Sequence, residues 1–319
     1  MIVSSTRIFS GHGPIVLMAT LCLVVGCATD HEERQEKRQK RLEEKEKRIA
    51  KRPAPLKHFI REQEVGVRWE RQVGGPARDD AVKLVPALSG SRVFAASADG
   101  KIMSISTGEG DVLWEVDVVS FYDEGEREHA FSPRADVITG GVGLGADIVL
   151  VGTSAGDMVA LNQSDGTLAW RTRMTSEILA PPQADNSIVV AHTIDGRVTG
   201  HDVVDGTRQW MYSVSVPSLT IRGTATPMIF GEIVIAGFSN GRVVGLNKRT
   251  GVPMLDQRVA AAKGKSDLEK LIDIDGNMVA SGPVLFAVSF QGNVVAINTQ
   301  SGRILWARQA SSTLGLSTG

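Results

Sequence analysis

The sequence predicts an all-β protein, a β-propeller of four-stranded antiparallel blades, and three observations predict it. Gly100, Gly156, Gly196, Gly241 and Gly292 are each followed ten residues later by Gly110, Gly166, Gly206, Gly251 and Gly302. Four residues further on stand Trp114, Trp170, Trp210, Leu255 and Trp306, which makes five copies of one spacing. Self-similarity at a period of 40 to 56 residues marks a repeat architecture. The runs between the glycines are short and rich in Val, Ile and Phe, which favours strands.

Each part of the repeat has its own reason. The runs Arg92 to Ser97, Ile148 to Thr153, Ile188 to His192, Ile233 to Gly237 and Leu285 to Ser289 read as the inner strands. Asp99-Gly100, Ala155-Gly156, Asp195-Gly196, Asn240-Gly241 and Gln291-Gly292 then supply a glycine able to take positive φ in a hairpin. Ser164-Asp165-Gly166 and its counterparts turn the chain again into an outer strand that carries the tryptophan. A single such sheet is apolar on both faces and cannot bury both alone. Stacking the sheets around an axis, each Trp wedged against its neighbour, buries them; a flat solenoid is the alternative.

Trp69 stands apart. Val65-Gly66-Val67-Arg68-Trp69-Glu70 reads as an outer strand without glycine turns upstream, the kind of strand that closes a propeller on inner strands arriving from the C-terminus. Only 13 residues follow Trp306, so the expectation is a C-terminally truncated ring, with irregular closure around five blades as the alternative.

The first residues address the chain elsewhere. Arg7 precedes an apolar run from Pro14 to Val25 that is too short to span a bilayer but suits a secretory signal peptide. Val24-Val25-Gly26-Cys27 resembles the lipobox at which bacterial signal peptides are cut and the cysteine is acylated. Residues 1–26 are therefore expected to be the leader and Cys27 the lipidated mature N-terminus, with Ala28 rather than aspartate pointing to the outer membrane. Residues 27–56 form a charged tether: Asp30 to Arg52 holds ten Lys/Arg and seven Asp/Glu and almost nothing to bury. Glu33 with Lys37 and Glu43 with Lys47 suit a solvated helix, and a disordered spacer is equally compatible. Residues 57–319 are the repeats.

The glycine and tryptophan pattern resembles the quinoprotein-like repeat, and its combination with a lipobox resembles the BamB family, lipoprotein subunits of the bacterial β-barrel assembly machinery. Val216-Pro217-Ser218-Leu219-Thr220-Ile221-Arg222-Gly223 is similar to that family's Pro-Ser-Leu-x-Leu-Arg-Gly segment. Lys270-Leu271-Ile272-Asp273-Ile274-Asp275 is similar to its Arg-Leu-x-Asp-Val-Asp stretch, although Gly276-Asn277-Met278 replaces the usual Thr-Thr-Pro. The resemblance implies an eight-bladed propeller whose two links dock on the POTRA domains of a BamA-like barrel subunit and assist outer-membrane protein folding, unfolded substrates included. By position it implies that Leu219, Ile221 and Arg222 contact the partner, with Asp273 and Asp275 beside them. The residues alone also allow Leu219 and Ile221 to be buried strand residues and the two aspartates to end a turn.

Other functions find less support in the sequence. A quinoprotein dehydrogenase shares the repeat, but both cysteines, Cys22 and Cys27, fall in or at the end of the leader, and no carboxylate and amide set for calcium stands out. No cofactor or metal is expected: His192 and His201, nine apart, have no ligand spacing, and Asp273-x-Asp275-Gly276-Asn277 lacks the closing Glu of a calcium loop. Gly141-Val142-Gly143-Leu144-Gly145 reads as a loop before Ile148 and not as a phosphate cradle. A net charge of −1 gives no reason to expect nucleic acid. A propeller sensing a small ligand remains a further alternative.

Overall fold

The computed structural model describes residues 34–35, 37–43, 64–132, 135–261, 266 and 271–317. The leader, Cys27, Lys270 and most of the tether lie outside the described residues. The chain divides into two units, Met1–Gly66 and Val67–Gly319. In the first, residues 34–35 and 37–43 are helical.

The second unit is a series of five four-stranded antiparallel sheets, each with its strands in chain order. The first holds β1 (Ala87–Ser89), β2 (Arg92–Ala96), β3 (Lys101–Ser106) and β4 (Val112–Asp117). The second holds β5 (Ile138–Gly145), β6 (Ile148–Thr153), β7 (Asp157–Asn162) and β8 (Leu168–Arg173). The third holds β9 (Gln183–Ala184), β10 (Val189–Thr193), β11 (Arg197–His201) and β12 (Arg208–Ser213). The fourth holds β13 (Met228–Phe230), β14 (Ile233–Gly237), β15 (Arg242–Asn247) and β16 (Pro253–Arg258). The fifth holds β17 (Val279–Ser281), β18 (Val284–Val288), β19 (Gly292–Asn298) and β20 (Ile304–Ala310).

Burial explains why the sheets stack face to face. Successive residues of a strand point to opposite faces, so Val149 and Val151 pack with Phe94 and Ile102 of the first sheet. On the same strand Leu150 turns the other way, against Val189 and Ala191 of the third. Val190 then meets Val234 and Ala236, and Ile235 meets Leu285 and Ala287. Each fully buried aliphatic side chain contributes about 2 kcal/mol, which no sheet could gain alone.

The tryptophan repeat is a latch between neighbours. Trp114 Nε1 donates to the Gln163 carbonyl at 3.0 Å, Trp170 to Val203 at 3.0 Å and Trp210 to Lys248 at 2.7 Å. Each acceptor lies three residues before the second glycine of the next sheet, and the indole covers that glycine. Within its own sheet each Trp faces a small residue: Ser104 opposite Trp114, Ala160 opposite Trp170, Gly200 opposite Trp210 and Ala296 opposite Trp306. The β-ladder shifts register immediately beside every one of these pairs, which makes room for the ring.

Two expectations need correction. The run around Trp69 has no ladder: residues 64–73 are not strand, because no partner strand lies beside them among the described residues. Trp69 nevertheless makes the latch, its Nε1 donating to the Thr107 carbonyl at 3.1 Å. The glycine-rich run before Ile148 is no loop but most of β5. Its glycines allow the third sheet's connection to lie directly on the strand; a methyl group at Gly143 would overlap the Pro182 carbonyl oxygen, 1.7 Å away.

Candidate partner-docking surface

The connections between sheets, with the run that enters β1, meet on one another. Asp136, in the first connection, accepts from the Arg78 and Asp79 amides at 3.0 Å. Glu177, in the second, accepts from Arg222 Nη2 through both oxygens at 2.6 and 2.7 Å. Arg222 lies in the third connection and also pairs with Asp79. Its guanidinium is therefore held between two carboxylates from two other segments.

Leu219 and Ile221 sit on the same irregular stretch between β12 and β13. Leu219 is 42% exposed and Arg222 is exposed beside the half-buried Ile221. The stretch is not a strand, and Leu219 is not an inner-strand residue. The structure brings Ile221 and Arg222 together with Asp273 around one hollow and with Asp275 around another, while Leu219 lines neither. Asp273 is 1% exposed and lies beneath the link, lining one hollow with Ile221, Arg222 and Gly223. In this conformation it has no surface to offer a partner, which corrects its placement beside the contact residues. Asp275 is half-buried, with its carboxyl against Gly223: a methyl group there would stand 2.8 to 2.9 Å from its atoms.

Burial raises both aspartates above the ordinary carboxylate range, and for Asp273 the neighbouring Asp275 adds to the effect. Beneath the link a cavity of about 130 Å³ is lined by His192, Thr193, Thr224, Phe238 and Asp273. His192 is fully buried, donates through Nδ1 to the Ala225 carbonyl at 3.2 Å and stands edge-on to Phe238. Desolvation lowers its pKa to about 4 and keeps it neutral. His201 is a core histidine as well, bonded to the Gly206 carbonyl and to Thr199.

A second polar cluster was not read from the sequence. Tyr122 donates to Asp157 at 2.9 Å, and Arg171 stacks 4.1 Å from the Tyr122 ring centroid while pairing with Glu126 at 2.8 Å. These contacts seat a short helix, Glu124–Ala130, whose capping box of Asp123 and Glu126 was the available signal.

The chemistry of these groups does not fit a quinone centre. The buried Asp157 is engaged by Tyr122 and Arg173, Asp136 by the Arg78 and Asp79 amides, and neither cysteine lies in the repeats.

Four-stranded blades latched by an indole on the next blade's glycine define a propeller of the quinoprotein-like class. Residues 119–318 match the family described as outer membrane protein assembly factor BamB, and the chain belongs to that family. The protein of that name from Pseudomonas aeruginosa is 37% identical over 267 residues, 84% of this chain and 66% of the relative. Its Escherichia coli counterpart is 29% identical over 245 residues, 76% of this chain and 61% of the relative. The chain thus spans about three-fifths to two-thirds of these relatives' lengths. The crystal structure of BamB from Moraxella catarrhalis superposes with a TM-score of 0.65 at 27% identity, over 77% of this chain and 70% of that one. A quinohemoprotein alcohol dehydrogenase from Comamonas testosteroni shares the fold at a TM-score of 0.53 and 15% identity, covering 70% of this chain and 42% of that one.

Proposed function

We propose that the protein is a non-enzymatic scaffold in outer-membrane protein assembly, anchored by lipid on Cys27 to the periplasmic face of the outer membrane. The propeller docks on the POTRA domains of a BamA-like barrel subunit through Leu219, Ile221 and Arg222, and holds that subunit while outer-membrane proteins fold and insert. Asp273 and Asp275 serve the surface from below. The observation that carries this reading is the link itself: an exposed leucine stands near a guanidinium fixed by Glu177 and Asp79. An apolar anchor beside an oriented Arg fork is the composition of an interface centre. Changing Leu219→Ala and Arg222→Ala together should abolish co-purification with the barrel subunit, with the tryptophan emission of the folded blades unchanged. Wild-type affinity in the folded double variant rejects the surface.

A further inference from the structure

We propose that Asp136 is a positioning residue of the docking surface. From the first connection it fixes the backbone of Arg78 and Asp79, and so sets Asp79 as one of the two carboxylates that aim the Arg222 guanidinium. What this relay is for rests on the docking reading; the relay itself is a property of the chain alone.

Each joint is a contact in the structure. Asp136 is 9% exposed, and its carboxylate accepts from the Arg78 amide through both oxygens, at 3.0 and 3.1 Å, and from the Asp79 amide at 3.0 Å. Two successive N–H groups converging on one carboxylate form charge-assisted bonds that leave the 78–79 backbone little freedom. Asp136 is braced in turn, because Ser154 Oγ, directly after β6, donates to its carbonyl at 2.6 Å. The Asp79 side chain is then held as well. Its Oδ1 accepts from the Ala81 amide at 2.8 Å and its carbonyl from the Val82 amide at 3.0 Å, a local turn that leaves Oδ2 for Arg222 Nη1.

The run entering β1 needs such an anchor. Gly75 is bonded to Asp99 at 3.1 Å, and the Val85 amide to the Gly141 carbonyl of β5 at 3.1 Å. Between them, among the described residues, Asp136 is the group from another segment that hydrogen-bonds the backbone. An anchor of this kind would ordinarily serve folding alone. Here the loop that it holds ends on a guanidinium whose side chain is 47% exposed, so it also governs what a partner meets. One carboxylate leaves a guanidinium free to swing, whereas Asp79 and Glu177, from different segments, fix its plane. The fork is aimed before the partner arrives, which spares the cost of ordering it on binding.

Nitrogen–proton NMR of the Arg222 guanidinium, assigned by its loss in Arg222→Lys, reads the relay without any partner. Asp136→Asn turns one acceptor oxygen into a donor facing the two amides, so the order parameter at Arg222 Nε should fall. An unchanged order parameter overturns the proposal. If that variant does not fold, Asp136→Ser, which keeps one acceptor, makes the same test. Titration calorimetry with the barrel subunit then separates positioning from mere structure. Asp136→Asn should weaken binding by up to about fivefold, the cost of re-ordering one long side chain, and should weaken binding of Arg222→Ala no further. Equal losses in both backgrounds would make Asp136 a structural residue and sink the proposal. A wrong docking surface shows itself differently: Arg222→Ala alone would leave the affinity unchanged, while the order of the guanidinium would still follow Asp136.

Discussion

Trp170 lies so close over Gly206 that a methyl group on the glycine would stand 2.5 Å from the indole carbon Cε3. Gly206 also has φ of +73°, in the left-handed region that side chains avoid. One glycine therefore serves two sheets: it turns the third and seats the ring of the second. Gly206→Ala should cost about 3 kcal/mol, combining left-handed strain with overpacking. Urea unfolding would show this as a lower midpoint at unchanged slope.

The same relationship identifies the weak joint. Leu255 occupies the Trp position of the fourth sheet, and its nearest carbon is 3.4 Å from where a methyl on Gly302 would lie. Three residues before Gly302 is Thr299, the place where the other latches find their carbonyl. Leu255→Trp should donate to the Thr299 carbonyl and stabilise the fourth and fifth sheets by about 1 kcal/mol, the usual net value of one hydrogen bond. A higher urea midpoint with blue-shifted emission is the expected outcome; a lower midpoint would mean that the gap cannot accept the larger ring.

His192 predicts an acid sensitivity of the fold. Its folded pKa of about 4 lies below the ordinary 6.5, so the unfolded chain takes up a proton first as pH falls. Stability from neutral His192 is complete above the unfolded value and is lost as pH drops toward the folded one, by at most about 3 kcal/mol. His192→Gln keeps a donor for the Ala225 carbonyl and removes the titration. The difference between variant and wild type should shrink from neutral to acid pH in equilibrium unfolding, and a constant difference would exclude the histidine as its source.

The latches explain how much was readable. The spacing of glycine and tryptophan survives in the sequence because the indoles of Trp69, Trp114, Trp170 and Trp210 each lie on the second glycine of the sheet that follows. The small residue ten positions before each Trp was equally visible and follows from the cross-strand pairing. The innermost strands were not visible: β9 has two residues, β1, β13 and β17 three each, and β5 is glycine-rich, so none shows alternation. Their pairing is imposed by neighbouring backbone. The site was legible as a set of residues but not in depth. Asp273 is buried because the 214–227 connection folds over it, and nothing in the local pattern of Asp273-Ile274-Asp275 encodes that cover.

Glu177 should matter for docking more than for folding. Its side chain is 10% exposed and holds Arg222 Nη2 with both oxygens, while the Arg222 side chain is 47% exposed. A pair with one member so open to solvent contributes less than about 1 kcal/mol to stability. Orientation is a different quantity. Released from Glu177, the guanidinium keeps only Asp79 and would have to be reoriented at the moment of binding, at a cost of up to roughly 1 kcal/mol for one long side chain. Glu177→Gln should therefore unfold within experimental error of the wild type yet bind the barrel subunit about fivefold more weakly. Titration calorimetry beside urea unfolding separates the two effects. Unchanged affinity would mean that Arg222 exchanges Glu177 for a partner carboxylate without penalty, and tighter binding would make Glu177 a competitor for the same fork.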